Sequence, residues 1–127
     1  MDAGLAKITS AADPTIYGIG IPAGSAVPAL NATVRKSGRT SGLTEGIVRA
    51  VRFDVFNVEY DQGMVRVDDC IVIEGTSGSF SRAGDSGSVI IDAKGKVVAL
   101  LFAGSDQVTY AIPIRRVLKR LRAKLVT

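Results

Sequence analysis

Histidine and tryptophan are absent from these 127 residues, and cysteine occurs once. The missing histidine removes the commonest general base and the commonest metal ligand together. A lone Cys70 excludes an intrachain disulfide, and the lack of any Cys/His cluster excludes a zinc finger. No window approaches 18 apolar residues without a charge, so no membrane-spanning helix is expected. The opening run Met1-Asp2-Ala3-Gly4-Leu5-Ala6-Lys7 has neither a charged n-region nor an apolar h-region, so no signal peptide is visible.

What is present points to a folded domain. With 46% apolar and 22% charged residues the chain reads as globular. Its length suits one domain, which would bury roughly 68% of its unfolded surface. The net charge of +4 is local. Residues 113–127 carry six cations (Arg115, Arg116, Lys119, Arg120, Arg122, Lys124) and no acid. The other 112 residues carry ten cations against twelve acids, or −2. A polyanion or a membrane surface is therefore a disfavoured partner, the more so because no aromatic residue interleaves with these cations.

Short Val- and Ile-rich runs recur between Gly- or Asp-containing breaks: Ala32–Lys36, Gly46–Phe56, Met64–Val67, Cys70–Glu74, Ser88–Asp92, Val97–Ala103 and Val108–Ile112. This spacing predicts an all-β fold, a barrel or sandwich of six to seven strands. Val97 to Phe102 is continuously apolar and reads as a strand buried on both faces. Residues 1–30 read as an irregular lead-in, with Ile16 to Ile21 a short strand weakened by Gly18 and Gly20. Beyond Pro113, Ile114, Val117, Leu118, Leu121 and Leu125 fall on one stripe at helical spacing. This predicts a terminal amphipathic helix over 113–125, packed on residues 32–112 within a single domain 1–127.

The segment that points to chemistry is Ser81-Arg82-Ala83-Gly84-Asp85-Ser86-Gly87-Ser88. A Ser between glycines can occupy a tight turn whose backbone N–H groups are free to hold an oxyanion. The α/β-hydrolase elbow is excluded, because it needs Gly at position 88. Other features carry less. Asn31-Ala32-Thr33 matches a glycosylation acceptor by chance frequency. Asp68-Asp69, with Asp61 and Glu59, reads as a solvated turn before it reads as a cation site. Cys70 reads as a buried structural thiol. Gly18-x-Gly20 misses the dinucleotide spacing. No metal or cofactor is expected.

Gly84-Asp85-Ser86-Gly87 resembles the nucleophile signature of the chymotrypsin-like (trypsin-fold) serine proteases. Three further segments agree in order. Ser37-Gly38-Arg39-Thr40-Ser41-Gly42, with Gly46, resembles the opening strand-turn of the second barrel in bacterial α-lytic-type members. Val97 to Gly104 resembles the strand that walls the substrate cleft. Tyr110-Ala111-Ile112-Pro113-Ile114 resembles the passage into the terminal helix of HtrA-like members. Asp2-Ala3-Gly4-Leu5-Ala6-Lys7-Ile8 resembles the run that carries the triad aspartate. The likeness covers about residues 32–125.

The resemblance implies an antiparallel six- to seven-stranded barrel, the C-terminal half of a trypsin-like peptidase. It implies Ser86 as nucleophile, Gly84 and Ser86 N–H as the oxyanion hole, and Asp2 as triad acid. It makes Asp85 a buried carboxylate, which needs a cation, Lys36 or Arg39. Phe80, Ser81, Ala103, Gly104 and Val108 would surround the pocket for the residue before the scissile bond. No acid stands at its base, so a small or apolar residue is expected there. Phe102 stands where the family has a polar residue beside the aspartate. The general base of the family is a His in the preceding barrel, and this chain has none, so the chain alone is expected to be silent. A Ser-Lys dyad through Lys36 or Lys7 is the less economical substitute. The expected partners are the His-bearing barrel or a second copy, with a peptide or protein substrate in the parent. The alternative is a stand-alone, non-catalytic module that binds peptides or itself. The resemblance implies a secreted or periplasmic parent and leaves the compartment of this chain open.

Overall fold

The computed structural model describes residues 3–60 and 63–127. Six strands are followed by one helix: β1 (Thr33–Gly38), β2 (Gly42–Tyr60), β3 (Gly63–Gly75), β4 (Val89–Asp92), β5 (Val97–Gly104), β6 (Val108–Pro113) and α1 (Ile114–Leu121). The strands pair antiparallel in the order β1-β2-β3-β6-β5-β4 and close into a barrel. Closure pairs each strand of the barrel with a neighbour on both sides, while the outer part of the β2–β3 hairpin pairs only with itself. The expected all-β barrel with a C-terminal helix is what forms.

Six strands form because the two runs expected at Met64–Val67 and Cys70–Glu74 are one. Asp69 takes a positive φ of 54°, a conformation that Asp tolerates. The pairing with β2 continues past it, from Val55↔Val67 to Phe53↔Cys70, with shifted register. Asp68-Asp69 is therefore a bulge inside a strand, where a turn was expected. The side chain of Asp68 is held by Arg66 at 2.5 Å. Glu59 and Asp61, the other acids of that cluster, lie outside the described side chains.

β5 is buried on both faces, as its unbroken apolar run predicts. Val98, Ala99 and Leu101 join Val34, Val48, Ile71, Ile73, Phe80 and Ile90 inside the barrel. Val97 and Phe102 instead meet Ile91, Ile112, Ile114 and Val117 in a second cluster, roofed by α1. Cys70 belongs to this outer cluster and is fully buried. Desolvation pushes its thiol up to about 11.

The helix is shorter than the 113–125 stripe suggests. Pro113 is still extended, at ψ 132°, and serves as the N-cap. At the other end Arg122 adopts a left-handed conformation, and Ala123 N–H donates to Leu118 O at 2.9 Å. This is a helix-ending turn that usually uses Gly. Leu125 lies beyond it, yet still packs against the outer cluster. Ile16 to Ile21 is likewise corrected: it is a turn closed on itself by Gly20 N–H to Ile16 O at 2.8 Å. Gly18 and Gly20 make that turn possible, with φ of 77° and 107°. The rest of the lead-in is strapped to the barrel. Ser25 bridges Val97 in parallel, and Asn31 N–H donates to Val48 O at 2.8 Å.

Candidate active site

The loop between β3 and β4 carries the Gly84-Asp85-Ser86-Gly87 motif. Its shape is set from below by Asp85, whose side chain is completely buried. Four donors converge on that carboxylate: Thr40 N–H at 2.8 Å, Ser41 N–H at 3.1 Å, Arg82 N–H at 2.9 Å and the Ser41 hydroxyl in a short bond. Burial alone would raise the carboxyl's pKa. These hydrogen bonds reverse that and hold it well below the usual carboxylate range.

Lys36 supplies the charge. It is also fully buried, and its Nζ stands 3.7 Å from Asp85 Oδ2. Its protons go to Ser41 Oγ at 2.7 Å and Gly42 O at 2.9 Å, beneath the Phe80 ring at 5.6 Å. Ser41 thus relays between cation and carboxylate. Desolvation lowers the Lys36 pKa, and Asp85 opposes that in part. Of the two expected cations, Lys36 is the one in place. Gly38 is required here, because a Cβ would collide with the Asp85 carboxylate.

Arg39 lies instead on the surface, over the loop. A Cβ added at Gly84 would stand 2.9 Å from its guanidinium and would overlap the Thr40 hydroxyl. Gly84 has φ of 100°, so only glycine fits without strain.

Above Asp85 the backbone groups divide. Asp85 N–H turns inward to Arg82 O at 3.0 Å, Gly87 N–H to Leu101 O at 2.8 Å, and Ser88 N–H to Asp85 O at 3.1 Å. The N–H groups of Gly84 and Ser86 have no acceptor among the described residues, and both residues are exposed. Ser86 Oγ donates to Phe102 O at 3.3 Å. Beside it opens a cleft of about 380 Å³ lined by Ala3, Gly4, Ser86, Gly87, Leu100, Leu101 and Phe102. Asp2 lies outside the described residues. Its neighbour Ala3 lines the cleft.

Of the residues expected around a specificity pocket, Ser81, Gly104 and Val108 come together. A Cβ at Gly104 would meet Val108 O at 2.9 Å and Ser81 Oγ at 3.3 Å. Ala103 is half-buried and packs against the outer cluster. Phe80 is turned into the barrel core, 2% exposed, and its carbonyl accepts the Thr44 hydroxyl at 2.6 Å. Thr109, which sequence reasoning passed over, is bonded to Ser81 hydroxyl to hydroxyl at 2.5 Å, with both groups buried. Its alternation in β6 with the core residue Ala111 was the available signal. Lys7 is exposed on the lead-in. Among the described residues no three metal-ligating side chains cluster.

The sequence profile of the Nal1 C-terminal domain family matches residues 20–126. The chain belongs to that family. The match runs through the whole barrel, from the lead-in turn to the end of the terminal segment. No curated protein matches the chain. Solved structures share the fold of this Nal1 C-terminal domain and are bacterial serine proteases. Thermobifida fusca protease A superposes with a TM-score of 0.72 at 22% identity, covering 91% of this chain and 61% of that one. Nocardiopsis protease gives 0.70 at 23%, covering 89% and 59%. Cellulomonas bogoriensis chymotrypsin gives 0.69 at 21%, covering 86% and 56%. The barrel is therefore a trypsin-like one, and the chain spans little more than half the length of these proteases.

Proposed function

We propose that this domain is the nucleophile-bearing, C-terminal barrel of a trypsin-like serine peptidase, nearest in motif to bacterial α-lytic and HtrA-like members, and that it is silent by itself. The observation that carries the reading is the Ser86 loop. An exposed Ser, with its own N–H and that of Gly84 unpaired among the described residues, stands on a turn fixed by a buried, fully bonded carboxylate. In this reading Ser86 attacks the scissile carbonyl, and Gly84 and Ser86 N–H receive the oxyanion. Asp2 orients the base, its neighbour Ala3 lining the Ser86 cleft. Ser81, Ala103, Gly104 and Val108 bound the pocket for a small or apolar side chain.

The base must come from outside this sequence, which holds no His. Lys36 does not replace it, since it is buried as the counter-charge of Asp85 and donates to Ser41 and Gly42. A His-bearing barrel would account for the 39–44% of each neighbour's length that this chain leaves unmatched. It would also cover the apolar side chains that the lead-in exposes, among them Leu5, Ile8, Tyr17, Ile21 and Val27.

The test is fluorophosphonate labelling. The isolated domain should leave Ser86 unmodified. Imidazole at tens of millimolar, small enough to enter the cleft, should restore labelling in proportion to its neutral fraction, and Ser86→Ala should abolish it. Stoichiometric labelling without added base would overturn the silence. No labelling with imidazole would overturn Ser86 as nucleophile. The exposed apolar residues also favour a second reading, a self-associating module. A clean monomer in sedimentation at tens of micromolar removes that reading.

A further inference from the structure

The loop that would stabilise a transient oxyanion has, in a chain without a base, a standing use for a permanent one. We propose that Gly84 N–H, Ser86 N–H and the Arg39 guanidinium form a binding site for the free C-terminal carboxylate of a peptide. The proposal rests on the reading of Gly84–Ser86 as an oxyanion-binding turn and deepens it by naming a ligand that the isolated domain holds without chemistry.

Three observations converge. First, the Gly84 and Ser86 N–H groups flank the inward-turned Asp85 N–H, and neither has an acceptor among the described residues. Unpaired neighbouring N–H groups of this kind make anion-binding concavities, and such nests capture terminal carboxylates. Second, the Arg39 guanidinium is packed against Gly84. It is exposed and has no acidic partner among the described residues. Arg82, in the same loop, is exposed and equally without one. Of these two cations, Arg39 is the one placed beside the N–H pair. The loop's own carboxylate, Asp85, lies beneath with its charge already matched by Lys36, so it does not repel an incoming anion as a bare carboxylate would. Third, Ser86 also lines a cleft of about 380 Å³ that leaves room beside the turn, and the last side chain of the peptide takes the pocket bounded by Ser81, Gly104 and Val108. An Arg fork beside backbone donors suits a planar carboxylate better than a neutral amide.

The experiment is a calorimetric titration of the 127-residue chain with acetyl-Ala-Ala-Ala-Leu bearing a free carboxylate and with the same peptide as its C-terminal carboxamide. The acid is expected to bind at least about tenfold more tightly, with affinity falling as salt rises. Arg39→Gln should reduce that preference several-fold while leaving the amide's affinity unchanged. Arg35→Gln, an exposed cation on β1, should leave both unchanged. Equal binding of acid and amide overturns the carboxylate site and leaves the nucleophile reading intact. An acid preference undiminished by R39Q places the carboxylate elsewhere and also overturns it. If neither peptide binds, the site is overturned, and imidazole-dependent labelling of Ser86 then decides the protease reading separately. Acid-selective binding without any such labelling would keep the site and remove the nucleophile.

Discussion

Two of the carboxylate–cation groupings on this barrel use the same kinds of charge to opposite effect. Beneath the Ser86 loop, Asp85 and Lys36 are completely buried, both carboxylate oxygens accept hydrogen bonds, and the ammonium donates to Ser41 and Gly42 while facing Asp85. On the β2–β3 ribbon, Arg66 spans Asp54 at 3.2 Å and Asp68 at 2.5 Å, with all three side chains at least 39% exposed. Buried charge must be fully satisfied or the structure fails, whereas water screens an exposed pair and can replace it. The first network therefore dictates a shape. The second decorates a ribbon that its strand pairing already holds.

The largest difference should appear on breaking each. Asp85→Ala leaves Lys36 buried without its counter-charge and four donors without an acceptor, and should cost about 4 kcal/mol. Lys36→Met keeps the volume and should cost about 3 kcal/mol. Urea unfolding measures both, and a loss below 1 kcal/mol in either would put the two networks on one footing. Gly38→Ala should follow closely, because it reaches the same carboxylate by steric collision.

Acid should separate the networks next. The Asp85 pKa is lowered in the fold. Its stabilising contribution is therefore intact above the unfolded value of about 4 and disappears as pH falls below it. Thermal midpoints between pH 7 and pH 3 should fall in the wild type and fall less in Asp85→Asn. Equal slopes would deny that this carboxylate is held ionised by the fold.

A smaller effect concerns Cys70, which lies near the ribbon but belongs to the buried class. Its raised pKa means that stability is full below the unfolded value of about 8.5 and declines as pH climbs toward about 11. At pH 8 iodoacetamide should modify it only after denaturation. Rapid labelling of the native chain would contradict its burial. The smallest effect is expected for Arg66→Ala, whose unfolding midpoint should differ least from wild type and should become indistinguishable from it in high salt.

This contrast also explains what the sequence made legible. The barrel was readable because Val and Ile runs broken by Gly report directly on pleated, half-buried strands. The nucleophile loop was readable because glycine and serine at fixed spacing are demanded by local backbone geometry. The choice between Lys36 and Arg39 was not readable. Both lie in one strand-turn, and which of them faces inward depends on the alternation of β1, whose buried positions are Val34 and Lys36. The continuity of β3 was hidden because two successive aspartates look like a turn, and only the pairing with β2 absorbs Asp69 as a bulge. The early end of α1 was hidden because Arg122 performs a turn that glycine usually signals.

The barrel is closed by a thin seam. β1 meets β4 through Val34↔Asp92 and Arg35↔Ile91, whereas β1 and β2 pair along the whole strand from Thr33↔Ile47 to Gly38↔Gly42. The seam joins residues nearly sixty positions apart, so closing it carries a larger loop-closure entropy than the β1–β2 hairpin. Lys36 lies just beyond that seam on β1, and Asp85 lies just before β4. The contact between them is a second fastener across the same gap. Closing the cylinder and setting the turn that carries Ser86 therefore draw on the same contact between β1 and the segment leading into β4.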